Sequence, residues 1–408
     1  MSSLLHTYEL KNGIRLIHRP NGSAVAHFGL IVHTGTRDEN RSEHGLAHFM
    51  EHMFFKGTQK RSAFQIISRL EDVGGEINAY TTKEETAIYA SFLMEDYRRA
   101  LELIQDIFIH SSFSEKERVK ETEVILNEIQ SYDDSPSELI FDRAEELLFP
   151  NHSIGRNILG SAESLARFRN GALEKFRMEN YATSEIILSS VGNIPFERIK
   201  YAAEKYFSDI PEKSRQRKRV QPVAEAGKKI VEKRNTFQKH CMLVGEAYAL
   251  PDQKRLQLYL LNNILGGPGM NSRLNLALRE RRGYSYSAES HFAPYTDTGV
   301  MMLYFSCDAD KFNKSLQVTK EELKKLRTKL ITESRLVHAR KQLMGQLAIS
   351  SENNEHRMLT SGKSFLVFNR VDSLETIRKK LDAITSSRLR ETANEILDPA
   401  GLNMLIFE

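Results

Sequence analysis

Cysteine is scarce in this chain: 408 residues contain two, Cys241 and Cys307, and neither belongs to a Cys-x-x-Cys pair. That excludes a zinc ribbon and a disulfide framework. Both thiols sit in apolar, strand-like stretches and read as buried free cysteines of a reducing compartment. No stretch approaches the roughly 18 apolar residues of a membrane-crossing helix. Residues 1–20 lack the apolar centre of a secretory leader. A soluble, cytoplasmic protein with no membrane partner is the expectation. The formal net charge is only +4, with both signs intermixed, so there is no strong basic face for nucleic acid.

What is present is enough for two domains. The length exceeds one ordinary core, and 40% of the residues are apolar. A polar, basic stretch at 211–228 carries Lys213, Arg215, Arg217, Lys218 and Arg219, then Pro222 and Gly227. It reads as a solvated linker between domains at 1–210 and 229–408. The two sides repeat. LAHFMEHMFFKG (Leu46 to Gly57) and LQLYLLNNILGG (Leu256 to Gly267) both read as a buried helix ending in glycine, at an offset of 210. Val119, Ile125, Leu126 and Ile129 align with Val337, Leu343, Met344 and Leu347 at an offset of 218. Within the first half, strands are predicted at 26–32, 77–80 and 86–92, and helices at 97–108 and 115–130, the last capped by Ser114. Two short strands flank the Asn12–Gly13 turn. The fold class is therefore α+β: two tandem homologous domains, each a mostly antiparallel sheet with helices packed on one side.

His48 and His52 are four residues apart, which on a helix puts two imidazoles on one face within reach of one ion. Ser42 is the candidate cap of that helix, with Gly45 weakening its first turn. Catalytic zinc takes three protein ligands, so a third must come from elsewhere. Glu51 lies beside His52, where a carboxylate can accept a proton from water and pass it to a leaving amine. His44, eight residues before His52, is too far along the helix to share the ion. The five-residue motif alone leaves chance open. The repeat adds weight: His48, Glu51 and His52 fall on Leu258, Leu261 and Asn262, while Glu121 and Glu128 fall on Ala339 and Gln346. Only the first copy carries metal chemistry.

With these residues in view, the chain resembles the pitrilysin-type (inverzincin) zinc metallopeptidases. It is most similar to the two-domain branch that includes the mitochondrial processing peptidase catalytic subunit and small bacterial zinc peptidases. The blocks that carry the resemblance are HGLAHFMEHMFFKGT (His44 to Thr58), GGEINAYTTKEETAIYA (Gly74 to Ala90), ETEVILNEIQSYDDSP (Glu121 to Pro136) and GGPGMNSRLNLALRERRGYSYS (Gly266 to Ser287). The resemblance implies one Zn²⁺ per chain on His48, His52 and Glu128, the last 76 positions after His52, with Glu51 as general base. It gives Glu121 a supporting acidic role in catalysis, consistent with orienting a ligand. Asn78, Ala79 and Tyr80 would bind peptide substrate by strand addition. Arg279 and Tyr286 would hold it from the side facing the zinc, usually that of a partner subunit, which implies a homodimer.

The implied function is a zinc-dependent endopeptidase acting on unfolded or short peptides held in a chamber. The competing reading is a catalytically limited companion or scaffold subunit. Members of that kind lack parts of the His-x-x-Glu-His set, and this chain has all of it.

Overall fold

The computed structural model describes residues 5–168, 171–215 and 218–408, so Arg217 of the linker lies outside the described residues. The chain forms two compact units, and neither is one continuous stretch. The first comprises Met1–Ile129, Ile158–Val220 and Ile349–Val371; the second comprises Gln130–Asn157, Gln221–Ala348 and Asp372–Glu408.

In the first unit, strands β1 (His6–Glu9), β2 (Arg15–Pro20), β3 (Val25–Val32), β4 (Glu76–Thr81), β5 (Thr86–Leu93) and β6 (Ile186–Gly192) form one sheet in the order β1-β2-β6-β3-β5-β4. All its pairings are antiparallel except β2 with β6. The Asn12–Gly13 turn joins β1 to β2, as its sequence predicts. Between β4 and β5, the Thr82 hydroxyl accepts from the amides of Glu84 and Glu85 and closes the hairpin. Helices α1 (Leu46–Phe54), α3 (Tyr97–His110) and α4 (Glu115–Asp133) follow the sequence expectation and α2 (Ala63–Glu71) adds to it, with Ser114 accepting from the Glu117 amide at the start of α4.

The second unit repeats this plan. Strands β7 (Lys229–Glu232), β8 (Lys239–Ala247), β9 (Ser285–Pro294), β10 (Gly299–Cys307) and β11 (Asn403–Phe407) run in the order β7-β11-β8-β10-β9. That order matches β2-β6-β3-β5-β4 strand for strand, and the parallel pair, β7 with β11, falls in the same place. The helix Arg255–Gly266 follows β8 as α1 follows β3. Cys241 on β8 and Cys307 on β10 are free and buried, as expected.

Alternation along each strand supplies two buried faces. In the first sheet Leu16, Leu30, Ile88 and Leu188 point to the helical layer that contains α1 and α3. Their neighbours Ile17, Ile31, Ala87 and Ile187 face the other way, onto Phe365 and Leu366. So beyond the expected one-sided layer, the second face is covered by helix Asn354–Phe368, which comes from far along the chain. The second sheet is treated reciprocally: helix Pro136–Leu148 covers Met242, Val244, Val300 and Met302 with Leu139, Ile140 and Ala144. The hydrophobic effect requires both faces to be dry, and one helix for each meets that need.

The solvated linker expected at 211–228 needs correction at two positions. Arg219 donates to Asp38 at 2.8 Å, and Arg215 donates to the other oxygen of the same carboxylate. Burial alone would raise the Asp38 pKa, but the two guanidiniums outweigh it and hold the carboxyl below its ordinary range. Buried charge is tolerated because it is paired.

Close approach of helix Asn354–Phe368 to the sheet depends on Gly362. A Cβ there would sit 2.5 Å from Ile31 Cδ1 and 3.0 Å from Ser189 Cβ. Gly362→Val is therefore expected to lower stability by about 1–3 kcal/mol through overpacking. Urea unfolding followed by circular dichroism checks this; an unchanged midpoint would show that the helix does not need the close fit.

Candidate metal centre

Helix α1 begins at Gly45, whose φ of +89° is a left-handed conformation that favours glycine. A Cβ at that position would also lie 2.7 Å from the Gly160 Cα. The first amides of the helix are capped from a distance. Glu39 accepts from the amides of Gly45 at 2.9 Å and Ala47 at 2.8 Å. Ser42, the cap expected from sequence, instead lies in a separate short turn, Arg41–Glu43. An anionic cap also suits the positive end of the helix dipole. His44 lies half-buried just before the helix and does not belong to the metal-ligand group.

From this helix His48 and His52 project together, their rings 4.6 Å apart at the centroids. Helix α4 brings Glu121 and Glu128 alongside. The Nε2 atoms of His48 and His52 stand 3.7 and 3.5 Å from the two oxygens of Glu128. Zinc bonds of about 2.0–2.1 Å at tetrahedral angles place ligand atoms about 3.3 Å apart, so the three groups fit one ion with little adjustment. Among the described residues this is the one group of three or more His, Cys, Asp or Glu side chains so disposed.

The chemistry of the donors also fits. Burial, then the neighbouring His52, lowers the His48 pKa to about 3, so the imidazole is neutral, as a ligand must be. Its Nδ1 is buried with no hydrogen-bond partner among the described residues, and its Nε2 faces Glu128 at 3.7 Å, so Nε2 is the atom offered to an ion. His52 is differently held: its Nδ1 meets Glu121 Oε1 at 2.8 Å, which leaves Nε2 directed toward Glu128. Glu121 is 3% exposed, and Lys56 Nζ binds its other oxygen at 2.7 Å. Glu121 thus acts as a positioning group for His52, with Lys56 balancing its charge.

Glu51 shares helix α1 with the histidines. Burial and the charge of Glu128 raise its pKa, against the Thr81 hydroxyl and His52, which lower it. A carboxylate with increased proton affinity is suited to taking a proton near neutrality. Beside α1 runs β4, the edge strand of the first sheet, which carries Asn78, Ala79 and Tyr80 and pairs on one side only, with β5. The Tyr80 hydroxyl donates to Glu85, which also receives Lys363 at 3.2 Å. Arg279 and Tyr286 lie in the second unit. Arg279 is in the short π-type turn Asn275–Glu280, and Tyr286 is an 80% exposed residue of β9. The first unit thus gathers His48, Glu51, His52, Glu121 and Glu128 around one point, with β4 alongside.

Sequence reasoning missed Glu39, Lys56 and Thr81. Lys56, four residues after His52, had a usable signal in its spacing. Glu39 and Thr81 had none, since both act across turns whose path depends on the fold.

A protein built from two such units, one with a His/His/Glu cluster beside a buried carboxylate of raised proton affinity, has the features of a metallohydrolase. Residues 15–162 match the insulinase family (Peptidase family M16), and residues 168–343 match the description "Peptidase M16 inactive domain". A protein of Bacillus subtilis named an uncharacterized zinc protease is 33% identical over 96% of this chain and 96% of its own. One of Rickettsia bellii with the same description is 32% identical over 100% of this chain and 98% of its own. The chain belongs to peptidase family M16. Its fold is shared with a protease from Helicobacter pylori (TM-score 0.90, 20% identity, 100% and 99% of the two chains) and with an M16 inactive domain protein from Pseudomonas fluorescens (TM-score 0.91, 19% identity, 99% and 97%).

Family membership implies zinc, and Glu121 is expected to govern how tightly it is held. Glu121→Gln should weaken zinc about 10–100-fold, as loss of a ligand's outer partner commonly does. Competition with a chromophoric chelator measures this, and affinity equal to the parent's would refute the positioning role.

Proposed function

We propose that this chain is a zinc endopeptidase, with one zinc per chain on His48, His52 and Glu128, that cleaves unfolded or short peptides laid along β4. The observation that carries the reading is the convergence of that cluster with Glu51 at an open sheet edge. Bound zinc supplies Lewis-acid chemistry for amide hydrolysis. The residues do the rest. Unpaired main-chain groups of β4 bind the peptide as an added strand, so sequence preference is broad and folded substrates, whose strands are already paired, are poor ones. Glu51 takes a proton from the attacking water and returns it to the leaving amine. Glu121 holds His52 in the orientation and tautomer that present Nε2.

Arg279 and Tyr286 complete the reading if the protein is a homodimer. A guanidinium and a phenol can hold the peptide and stabilise the oxyanion that forms on attack. We assign them to the zinc site of the partner subunit. The family resemblance supports this, and the chain carries both halves of the machinery. No helix among the described residues is long and apolar enough to cross a membrane, which leaves peptide supply to the aqueous phase as the simplest case.

Two outcomes test this. Glu51→Gln should retain zinc by elemental analysis yet lose about 10²–10⁴-fold or more in peptide cleavage, followed by mass spectrometry. Parental turnover in that variant would remove Glu51 from the mechanism. Glu51→Gln and Arg279→Ala chains, each nearly inactive, should together regain up to about a quarter of parental activity after subunit exchange, because about half of random dimers are mixed and each has one intact site. No recovery, with exchange demonstrated by tag pull-down, would place both residues' action in one subunit.

A further inference from the structure

A cavity of about 470 Å³ opens in the second unit, lined by residues to which the proposed mechanism gives no role. Its walls come from the end of helix Arg255–Gly266, the turn Asn275–Glu280, helix Phe312–Thr328 and helix Glu333–Ser350. Five cationic side chains line it (Arg273, Arg281, Lys325, Lys329 and Arg335) against a single carboxylate, Glu322. That excess of four positive charges equals the formal net charge of the whole chain, so elsewhere the two signs balance.

The charges inside the cavity are not mutually satisfied. Glu322 is already engaged, by Arg273 at 2.9 Å and Lys325 at 2.6 Å. The side chains of Arg281, Lys329 and Arg335 make no ion pair or hydrogen bond with any described residue, although many other exposed cations of this chain find a carboxylate nearby. Like charges gathered around one depression repel one another, and the low-dielectric walls concentrate their field. An anion of several charges relieves that repulsion. Arginine forks match phosphate oxygens, and the volume lies in the range of small-ligand sites, about 300–1,000 Å³. No phenylalanine or tyrosine lines the cavity, and the one ring in its lining, the imidazole of His338, is a small surface for stacking a nucleobase.

We infer that this cavity binds a small multivalent phosphate anion, recognised through its phosphate groups alone. A free inorganic oligophosphate and the phosphate tail of a nucleotide share that chemistry, and the site depends neither on the metal nor on the peptidase assignment.

Equilibrium dialysis of labelled inorganic triphosphate against the full chain tests the site. Saturable binding is expected, weakening several-fold as salt rises from about 50 to 200 mM. The Lys329→Gln/Arg335→Gln double variant, whose positions are exposed and outside the proposed catalytic machinery, should bind at least about tenfold more weakly with an unchanged thermal midpoint. His48→Ala should bind triphosphate as the parent does, which separates the cavity from chelation at the metal. ATP should match triphosphate within a few-fold. Failure to saturate by about 1 mM, equal binding by the double variant, or loss of binding in His48→Ala would each overturn the inference. So would ATP binding at least tenfold more tightly, or displacement of triphosphate by a lower concentration of pentaglutamate, which would assign the cavity to a base or to acidic peptide instead.

Discussion

The carboxylate of Glu121, almost wholly buried between His52 and Lys56, is the joint on which the candidate metal centre depends. One helical turn can present two histidines but no third ligand of the right reach. The third must arrive on another helix, and that helix must be fixed to within a few tenths of an ångström for the ligand atoms to share one ion. Glu121 does this by bonding to both the histidine ring and the lysine that follows α1. Two turns further along the same face of α4, Glu128 is then carried to its place opposite both Nε2 atoms. A surface carboxylate could not act as such a joint, because water and salt would compete for it.

The frame around this joint explains why it is rigid. The sheet is dry on both faces: the layer containing α1 and α3 covers one, and helix Asn354–Phe368 covers the other. Glu39 satisfies the first amides of α1 without needing a residue at the usual cap position, so Gly45 is free to make the close contact with Gly160. The connection after 210 adds a further tie, since Asp38 is held by two of its arginines. The duplicated unit keeps the same strand order but has buried leucines, Leu258 and Leu261, where the first has His48 and Glu51. The two units thus share one plan, and only the first carries the candidate metal ligands.

Much of this was legible in the sequence, for local reasons. The spacing of His48 and His52, the Asn12–Gly13 turn, the strand alternation and the Ser114 cap are all set by interactions within a few residues, which the chain states directly. The 76-residue gap to Glu128 was legible only through resemblance, since spacing alone cannot say which of many glutamates faces a given helix. Ser42 was a reasonable local cap and was wrong, because a carboxylate from another turn reached the amides first. The arginines after 210 looked solvated, because nothing local announces that Asp38 is buried nearby.

The sequence by itself determined the residue types able to bind a metal, the two copies of one plan, and where the longer strands and helices of the first half lie. These follow from periodicity and side-chain chemistry. Only the tertiary structure decided which helix covers which sheet, that Lys56 balances Glu121, and that five cations from three separate segments line one cavity. Those outcomes rest on close packing and on charges brought together from distant positions, and neither has a signature in local order.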